Sequence, residues 1–453
     1  MIDLNKINKI YFVGIGGIGI SAVAGIAHVR NFIVEGSDAS TGEIVNDLRE
    51  HRIKVNVPHD AIHIDESISL VVRSVAVPDD NVEIVRAREL DLPILSYPQF
   101  LGLLIQDKFS IGISGTDGKT TTTAMIAKIL IDAGLDPSVV LGAKAEFLED
   151  NWRVGESQYF VFESDEYRRA FDNYNPKIAV VTNIGVDHLD YYKDEAEYLS
   201  AFKNYLGRID EAGFIIINND NPRSIEAGLK TKAKKITYSL ETDSDFQAVE
   251  LKLGEGYQSF MVSGQEYKIK LPGNYNVYNA LSAIAVARTL GIEEPVIADS
   301  LSSFGGLWRR FQSLGQCGQA EVIADYAHTP DAVTKVIEAV INFYSQKKVL
   351  VVFQPHQYGR TKNLFTEFVQ AFDGAEKVLL PDIFYVKGRE NPADFSVSSQ
   401  LLAEEASKRG VNIEATGSLK ESEEKIREVI KDFEVILVLG AGDVYELAKN
   451  LVK

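Results

Sequence analysis

Along the first hundred residues, short β-branched and aromatic runs alternate with stretches whose apolar positions recur every three or four residues. "KIYFVGI", "FIVEGS", "SLVVRSVAV" and "PILSY" read as buried strands, and "ISAVAGIAHV", "EIVNDLREH" and "VEIVRAREL" as helices. That alternation predicts βαβ units and a mostly parallel sheet, with a joint at "LIQDKF". A second series begins with the strand "FSIGISG" and the helix "KTTTTAMIAKILIDAG", and continues through the strands "YFVFES", "KIAVVTNI" and "GFIIINN". Between about 244 and 272 the pattern changes to strict alternation broken by glycine turns, which predicts a small antiparallel sheet; the helix "NVYNALSAIAVARTLG" follows. After a polar stretch near 312–320, read as a linker, βα alternation resumes with "EVIADYA", "KVLVVFQ", "EKVLLPDI" and "FEVILVLGAG".

The expected fold is therefore α/β in three domains, at 1–106, 107–314 and 315–453. The first and last read as Rossmann-like, and the central one as P-loop-type with a parallel sheet plus the small antiparallel one. A length of 453 residues suits that number.

Composition narrows the partners. The formal net charge of −18 opposes binding to nucleic acid or to anionic membranes, because the summed field repels phosphate polymers. Small nucleotides remain compatible, since loops and helix ends hold phosphate locally. No apolar run approaches the roughly 18 residues of a membrane span, and the N-terminus lacks a signal-peptide pattern. The single cysteine, Cys317, excludes an internal disulfide and any thiolate metal cage, which fits a reducing cytoplasm.

Two glycine loops carry the candidate chemistry. In "VGIGGIGIS", Gly14, Gly16 and Gly19 spell G-x-G-x-x-G between a strand and a helix, with Gly17 inside the turn. Such a turn aims backbone N–H groups and a helix N-terminus at a diphosphate. Glu35 or Asp38, at the end of the next strand, could cap the ribose of a dinucleotide, so this loop alone leaves a nicotinamide-dependent oxidoreductase open. In "SGTDGKTTT", Gly115 and Gly118 let the backbone curl around an anion. Thr116 and Asp117 lie in the curl, Lys119 can place its charge on phosphate oxygens, and the hydroxyls of Thr120 and Thr121 are placed for a metal, a phosphate or a cap. Ile113 stands where the strict G-x-x-x-x-G-K-[ST] pattern has glycine. Glu163 in "FESDEY" and His188 in "VDHLDYY" follow predicted strands, at the sheet edge where ligands collect in parallel sheets.

Taken in order, "FVGIGGIGISAVA", "GTDGKTTTT", "FESDEYRRAF", "VTNIGVDHLDYY", "GNYNVYNAL", "GGLWRRF", "DYAHTPDAV", "FQPHQYGRT" and "VLGAGDVYELA" span the whole chain, and together they resemble the Mur ligases. The resemblance implies an ATP-dependent ligase that adds L-alanine to the lactyl carboxylate of UDP-N-acetylmuramate through an acyl phosphate, in the cytoplasm. A sister activity that joins a tripeptide to the same sugar nucleotide is the nearest alternative. It implies that Gly14, Gly16, Gly17, Gly19 and Asp38 hold the UDP-sugar, while Gly115 to Thr121 hold ATP together with Asn276, Asn279, Arg310 and Asp325. It implies further that Thr120, Glu163 and His188 hold magnesium, with manganese as the alternative for a site containing histidine. His328, His356 and Arg360 are expected to face the incoming amino acid and its product. Lys119, Glu163, His188 and Arg310 would then carry catalysis. Tyr275 stands where the family's adenine motif often has histidine, and Asp117 where its phosphate loop does.

Overall fold

The computed structural model describes residues 2–453 apart from 149, 186, 189–190 and 387–389. It divides into two compact units. The first comprises Met1–Val249, Val262–Gln265 and Tyr278–Leu301, and the second Glu250–Met261, Glu266–Val277 and Ser302–Lys453.

The first unit opens with a five-stranded parallel sheet of β1 (Lys9–Val13), β2 (Ile33–Ser37), β3 (Lys54–Asn56), β4 (Leu70–Arg73) and β5 (Ile94–Ser96), in the order β3-β2-β1-β4-β5. The chain runs outward from β1 to β3 and then returns to β4, so the order reverses at β1, where a parallel sheet opens a crevice at its carboxyl edge. The helix Ile18–Val29 packs through a small-residue face, Ala22, Ala24, Gly25 and Ala27. Gly25 is required there, because a Cβ would stand 2.2 Å from the Trp152 indole.

The same unit contains β6 (Phe109–Ser114), β7 (Ser138–Val140), β8 (Trp152–Arg153), β9 (Tyr159–Glu163), β10 (Ile178–Val181), β11 (Phe214–Asn218) and β12 (Lys234–Ser239), ordered β8-β7-β9-β6-β10-β11-β12. All neighbours are parallel except the short β7–β8 pair. β6 is central, and its near-continuous burial is what a strand covered on both faces requires. The first residues of β13 (Phe246–Gly254) pair parallel with β12. The rest of β13 belongs to the second unit with most of β14 (Tyr257–Val262) and β15 (Gln265–Ile269). Two-residue turns at 255–256 and 263–264 join the three, and Gly256 and Gly264 supply the positive φ such turns need.

The second unit's main sheet joins β16 (Gln312–Cys317), β17 (Ala320–Asp325), β18 (Val349–Phe353), β19 (Lys377–Pro381), β20 (Ile413–Gly417) and β21 (Val435–Leu439), in the order β16-β17-β21-β18-β19-β20. Only β16 is antiparallel. Along β21 the period of two divides the core: Val435, Leu437 and Leu439 face one cluster, and Ile436 and Val438 the other. The polar stretch expected to be a linker is thus the outer strand of a hairpin. Its glycines set that geometry: Gly315 (φ +125°) sits at a register shift and Gly318 (φ +62°) in the turn. Cys317 is buried in this hairpin. The stretch "DNPR" is a helix start, with the Asn221 side chain capping Pro222–Ala227. Among the described residues no helix is long and apolar enough to cross a membrane.

Candidate functional site

The glycine-lysine loop leaves the carboxyl end of β6 and enters the helix Lys119–Asp132, with Gly118 (φ +83°) as its left-handed cap. Gly115 (φ +130°) begins the curl, and a Cβ there would lie 2.2 Å from Thr182 Oγ1. The end of β10 clamps the loop. Thr116 N donates to the Asn183 carbonyl at 3.0 Å, Asp117 N to Asn183 Oδ1 at 3.1 Å, Gly185 N to Thr116 Oγ1 at 2.8 Å, and Thr182 Oγ1 to the Asp117 carbonyl at 2.5 Å. These bonds hold the loop in its curled form.

Three of the four threonines have defined tasks. Thr120 Oγ1 donates to Glu163 Oε2 at 3.1 Å, Thr122 Oγ1 to Asn279 Oδ1 at 3.2 Å, and Thr123 Oγ1 to the Lys119 carbonyl one turn back at 2.8 Å. Glu163 also accepts from Gly142 N at 2.5 Å. Thr120 and Glu163, expected to share a metal, are therefore neighbours.

Lys119 Nζ lies 2.5 Å from the Gly115 carbonyl and 2.9 and 3.1 Å from the two oxygens of Glu166, a fully buried carboxylate. Burial opposes the lysine's charge, but Glu166, Asp165 and Glu163 together outweigh it and hold its pKa above the ordinary value. Burial likewise works against the Glu166 carboxylate, and Lys119 with His188 overcomes it, so its pKa lies below the ordinary value. Asp165 moves the other way, raised by burial and by the neighbouring Glu166 charge. His188 Nε2 stands 3.5 Å from Glu166 Oε1, whose hydrogen bond raises the imidazole pKa despite partial burial. Its ring lies 4.6 Å from that of Tyr167.

The donor atoms of Asp165, Glu166 and His188 all fall within 4.8 Å of one another. Two carboxylates and an imidazole are donor groups that can ligate a divalent cation. The structure thus brings His188 to Asp165 and Glu166, two acids outside the expected set of Thr120, Glu163 and His188. The signal was present in "ESDEY": acidic residues just past a buried strand, a few residues from the one expected to bind metal.

At the first glycine loop, Gly14 N and Ile15 N donate to the Ser37 carbonyl at 2.8 and 2.9 Å, and Gly16 N to Asp38 Oδ2 at 2.8 Å. Asp38 therefore holds the loop itself. Gly17 is the cap of the helix Ile18–Val29, and Gly19 lies against the Tyr97 ring, which a Cβ would approach to 3.3 Å.

In the second unit, Asp325 ends β17 and accepts from Phe311 N at 2.8 Å and Ala327 N at 2.9 Å; burial raises its pKa despite both bonds. Arg310 is exposed, whereas the preceding Arg309 donates to the carbonyls of Gly440 (2.6 Å) and Gly442 (2.9 Å) and lies over the rings of Tyr326, Tyr445 and Trp308. Of the two arginines, the second is the one left facing outward. His356 accepts from Arg360 through Nδ1 at 3.1 Å and stacks on Phe384, with the His328 ring 6.2 Å away. Burial first, then the Arg360 charge, push the His356 pKa down to about 4. His328 follows the carboxyl end of β17, and His356 and Arg360 that of β18. On the helix Asn274–Thr289, Asn276 Nδ2 donates to the Pro272 carbonyl at 2.7 Å.

Three family models match the chain: Mur ligase family, catalytic domain, over residues 9–109; Mur ligase middle domain, over 113–287; and Mur ligase, glutamate ligase domain, over 309–442. The chain is 34% identical to the UDP-N-acetylmuramate–L-alanine ligase of Caldanaerobacter subterraneus subsp. tengcongensis, covering 100% of this chain and 99% of the relative. It is 36% identical to the enzyme of that name from Caldicellulosiruptor saccharolyticus, covering 96% of each. Among solved structures it is similar to the UDP-N-acetylmuramate-alanine ligase MurC of Thermotoga maritima, with a TM-score of 0.84, 30% identity and 98% of both chains covered. The murein peptide ligase of Psychrobacter arcticus has the same fold at a TM-score of 0.68 and 22% identity, with 98% of both chains covered.

Proposed function

Because the chain belongs to the Mur ligase family, we propose that it is an ATP-dependent ligase joining L-alanine to the lactyl carboxylate of UDP-N-acetylmuramate, in peptidoglycan precursor synthesis. The observation that carries this reading is the Lys119 loop beside the Asp165–Glu166–His188 group, in a chain alike over its full length to ligases of that name. Residues 1–106 form the UDP-sugar domain in this reading, 107–314 the ATP domain and 315–453 the amino-acid domain. ATP and UDP-sugars are cytoplasmic nucleotides, and the reaction is assigned to that compartment.

A carboxylate is a poor electrophile, and phosphorylation supplies it with a leaving group. A lactyl oxygen attacks the γ-phosphorus of ATP, the bond to the β-phosphate oxygen breaks, and ADP departs. The neutral amine of alanine then adds to the acyl phosphate carbon and gives up one N–H proton to solvent, and the tetrahedral intermediate expels inorganic phosphate to leave the amide. The chain's part is positioning and charge neutralisation. Lys119 carries a charge that Glu166 holds at the loop before nucleotide arrives. Arg310 offers an exposed guanidinium to phosphate. His356, with Arg360 donating to its Nδ1, is a neutral ring that can donate through Nε2 to a carboxylate or carbonyl. Asp165, Glu166 and His188, with Thr120 and Glu163, are the residues that would hold a divalent cation. Such an ion, when bound, neutralises developing charge on phosphate oxygens.

Phosphate release with ATP, UDP-N-acetylmuramate and either L-alanine or a tripeptide tests the assignment. Alanine alone should support turnover; release only with the tripeptide would transfer the assignment to the sister activity. Lys119→Ala should lower turnover at least about 100-fold while UDP-sugar binding stays within twofold. Near-normal turnover of that variant would overturn the ATP site.

A further inference from the structure

Glu83 belongs to no part of the reaction described above, yet its carboxylate has no exposure and sits among five polar groups. Tyr11 Oη donates to Oε1 at 3.1 Å, His63 Nδ1 lies 2.9 Å from Oε1, and Asp60 N donates to Oε1 at 3.3 Å. Oε2 receives the Ser37 hydroxyl and has His59 Nδ1 at 2.8 Å. A carboxylate only accepts, so both imidazoles must present N–H at Nδ1. In the neutral ring that leaves a lone pair on Nε2. Among the described residues neither Nε2 has a hydrogen-bond partner, and the two side chains stay 17% and 22% exposed.

The network lies along one edge of the first sheet. Ser37 ends β2, and its carbonyl takes the amides of Gly14 and Ile15 in the diphosphate loop. Asp38, the next residue, takes Gly16 N and donates its own amide to the carbonyl of Asn56, which ends β3. His59 follows three residues later. A nucleotide whose phosphates occupy the loop after β1 extends its ribose and base past the ends of β2 and β3. Uracil carries a donor at N3–H; cytosine has an acceptor at that position.

We infer that Glu83 is a positioning residue for the uridine end of the sugar nucleotide: it holds Ser37 as the wall of the glycine loop and fixes His59 with Nε2 as an acceptor for the base. The inference rests on the sugar-nucleotide reading, and the two can fail separately. Binding of UDP, CDP and ATP to the full chain, wild type and Glu83→Gln, is the test. An amide in place of the carboxylate can satisfy only part of the donor set. Glu83→Gln should weaken UDP at least tenfold and lower the preference for UDP over CDP at least fivefold, with ATP binding within twofold. An unchanged UDP-over-CDP preference would overturn the inference whatever the affinity, as would equal losses for UDP and ATP. Should the variant not fold, nitrogen-15 spectra of the seven histidines in the wild type carry the same decision. His59 and His63, assigned by His59→Ala and His63→Ala, should be Nδ1–H tautomers, and the His59 Nε2 resonance should move on adding UDP; no movement would overturn the inference. Wild-type protein that binds no UDP would instead overturn the sugar-nucleotide reading itself.

Discussion

At the scale of single residues, the site is organised by which charges are buried together. Lys119 is drawn inward by Glu166, and that pair works because each supplies what the other's burial withholds. His356 is the opposite case, an imidazole packed beside a cation and therefore kept neutral. Its folded pKa, about 4, lies below the ordinary 6.5, so between those values the unfolded chain binds the extra proton. By linkage, stability conferred around this residue is complete above about pH 6.5 and falls as pH drops toward 4. Denaturation midpoints across that window should decline less steeply in His356→Gln than in wild type; parallel profiles would count against this account. The residue types at these positions were legible in the sequence. Their pairing was not: Glu166 meets Lys119 across 47 positions of chain, and no local pattern encodes such a contact.

At the scale of elements, strand-to-helix turns do most of the functional placement. The turn at Gly118 combines positive φ with close contact, since an added Cβ would stand 2.3 Å from Asn279 Oδ1. Gly118→Ala should cost about 1–2 kcal/mol of stability from the left-handed backbone alone. Displacement of Asn279 should weaken ATP binding by about tenfold, or 1.4 kcal/mol. Titration of nucleotide into the variant, read beside its melting curve, separates the two effects. Long buried strands such as β6, β10 and β21 were readable from their apolar runs. The three-residue β3 and the mixed-polarity β20 were not, because neither has enough residues of one character to set a period. The helix Tyr97–Ile105 starts inside the stretch "PILSY" that reads as a strand, at a capping box formed by Ser96 and Gln99. The hairpin at 312–325 escaped because its outer strand is polar and glycine-containing, and pairs only on one side.

At the scale of the whole molecule, two compact units give the unfolding a testable structure. Chains of several domains need not unfold in one step. The proposed UDP berth lies wholly within the first unit, so UDP at about 100 times its Kd should stabilise that unit's transition by about 2.7 kcal/mol. Calorimetry should find the second unit's transition unmoved; an equal shift in both would deny that the berth is confined to the first. The fold class, the order of βα units and the positions of both glycine loops followed from the chain itself, because hydrophobic periodicity and glycine spacing are local properties that need no partner to be expressed. The assembly of Asp165, Glu166 and His188 around Lys119, the choice of Arg309 for packing and Arg310 for solvent, and the burial of Glu83 beneath two histidines were decided only in three dimensions. Each depends on which side chains the sheet order brings to one edge, and desolvation acts on a charge only once the rest of the fold has removed its water.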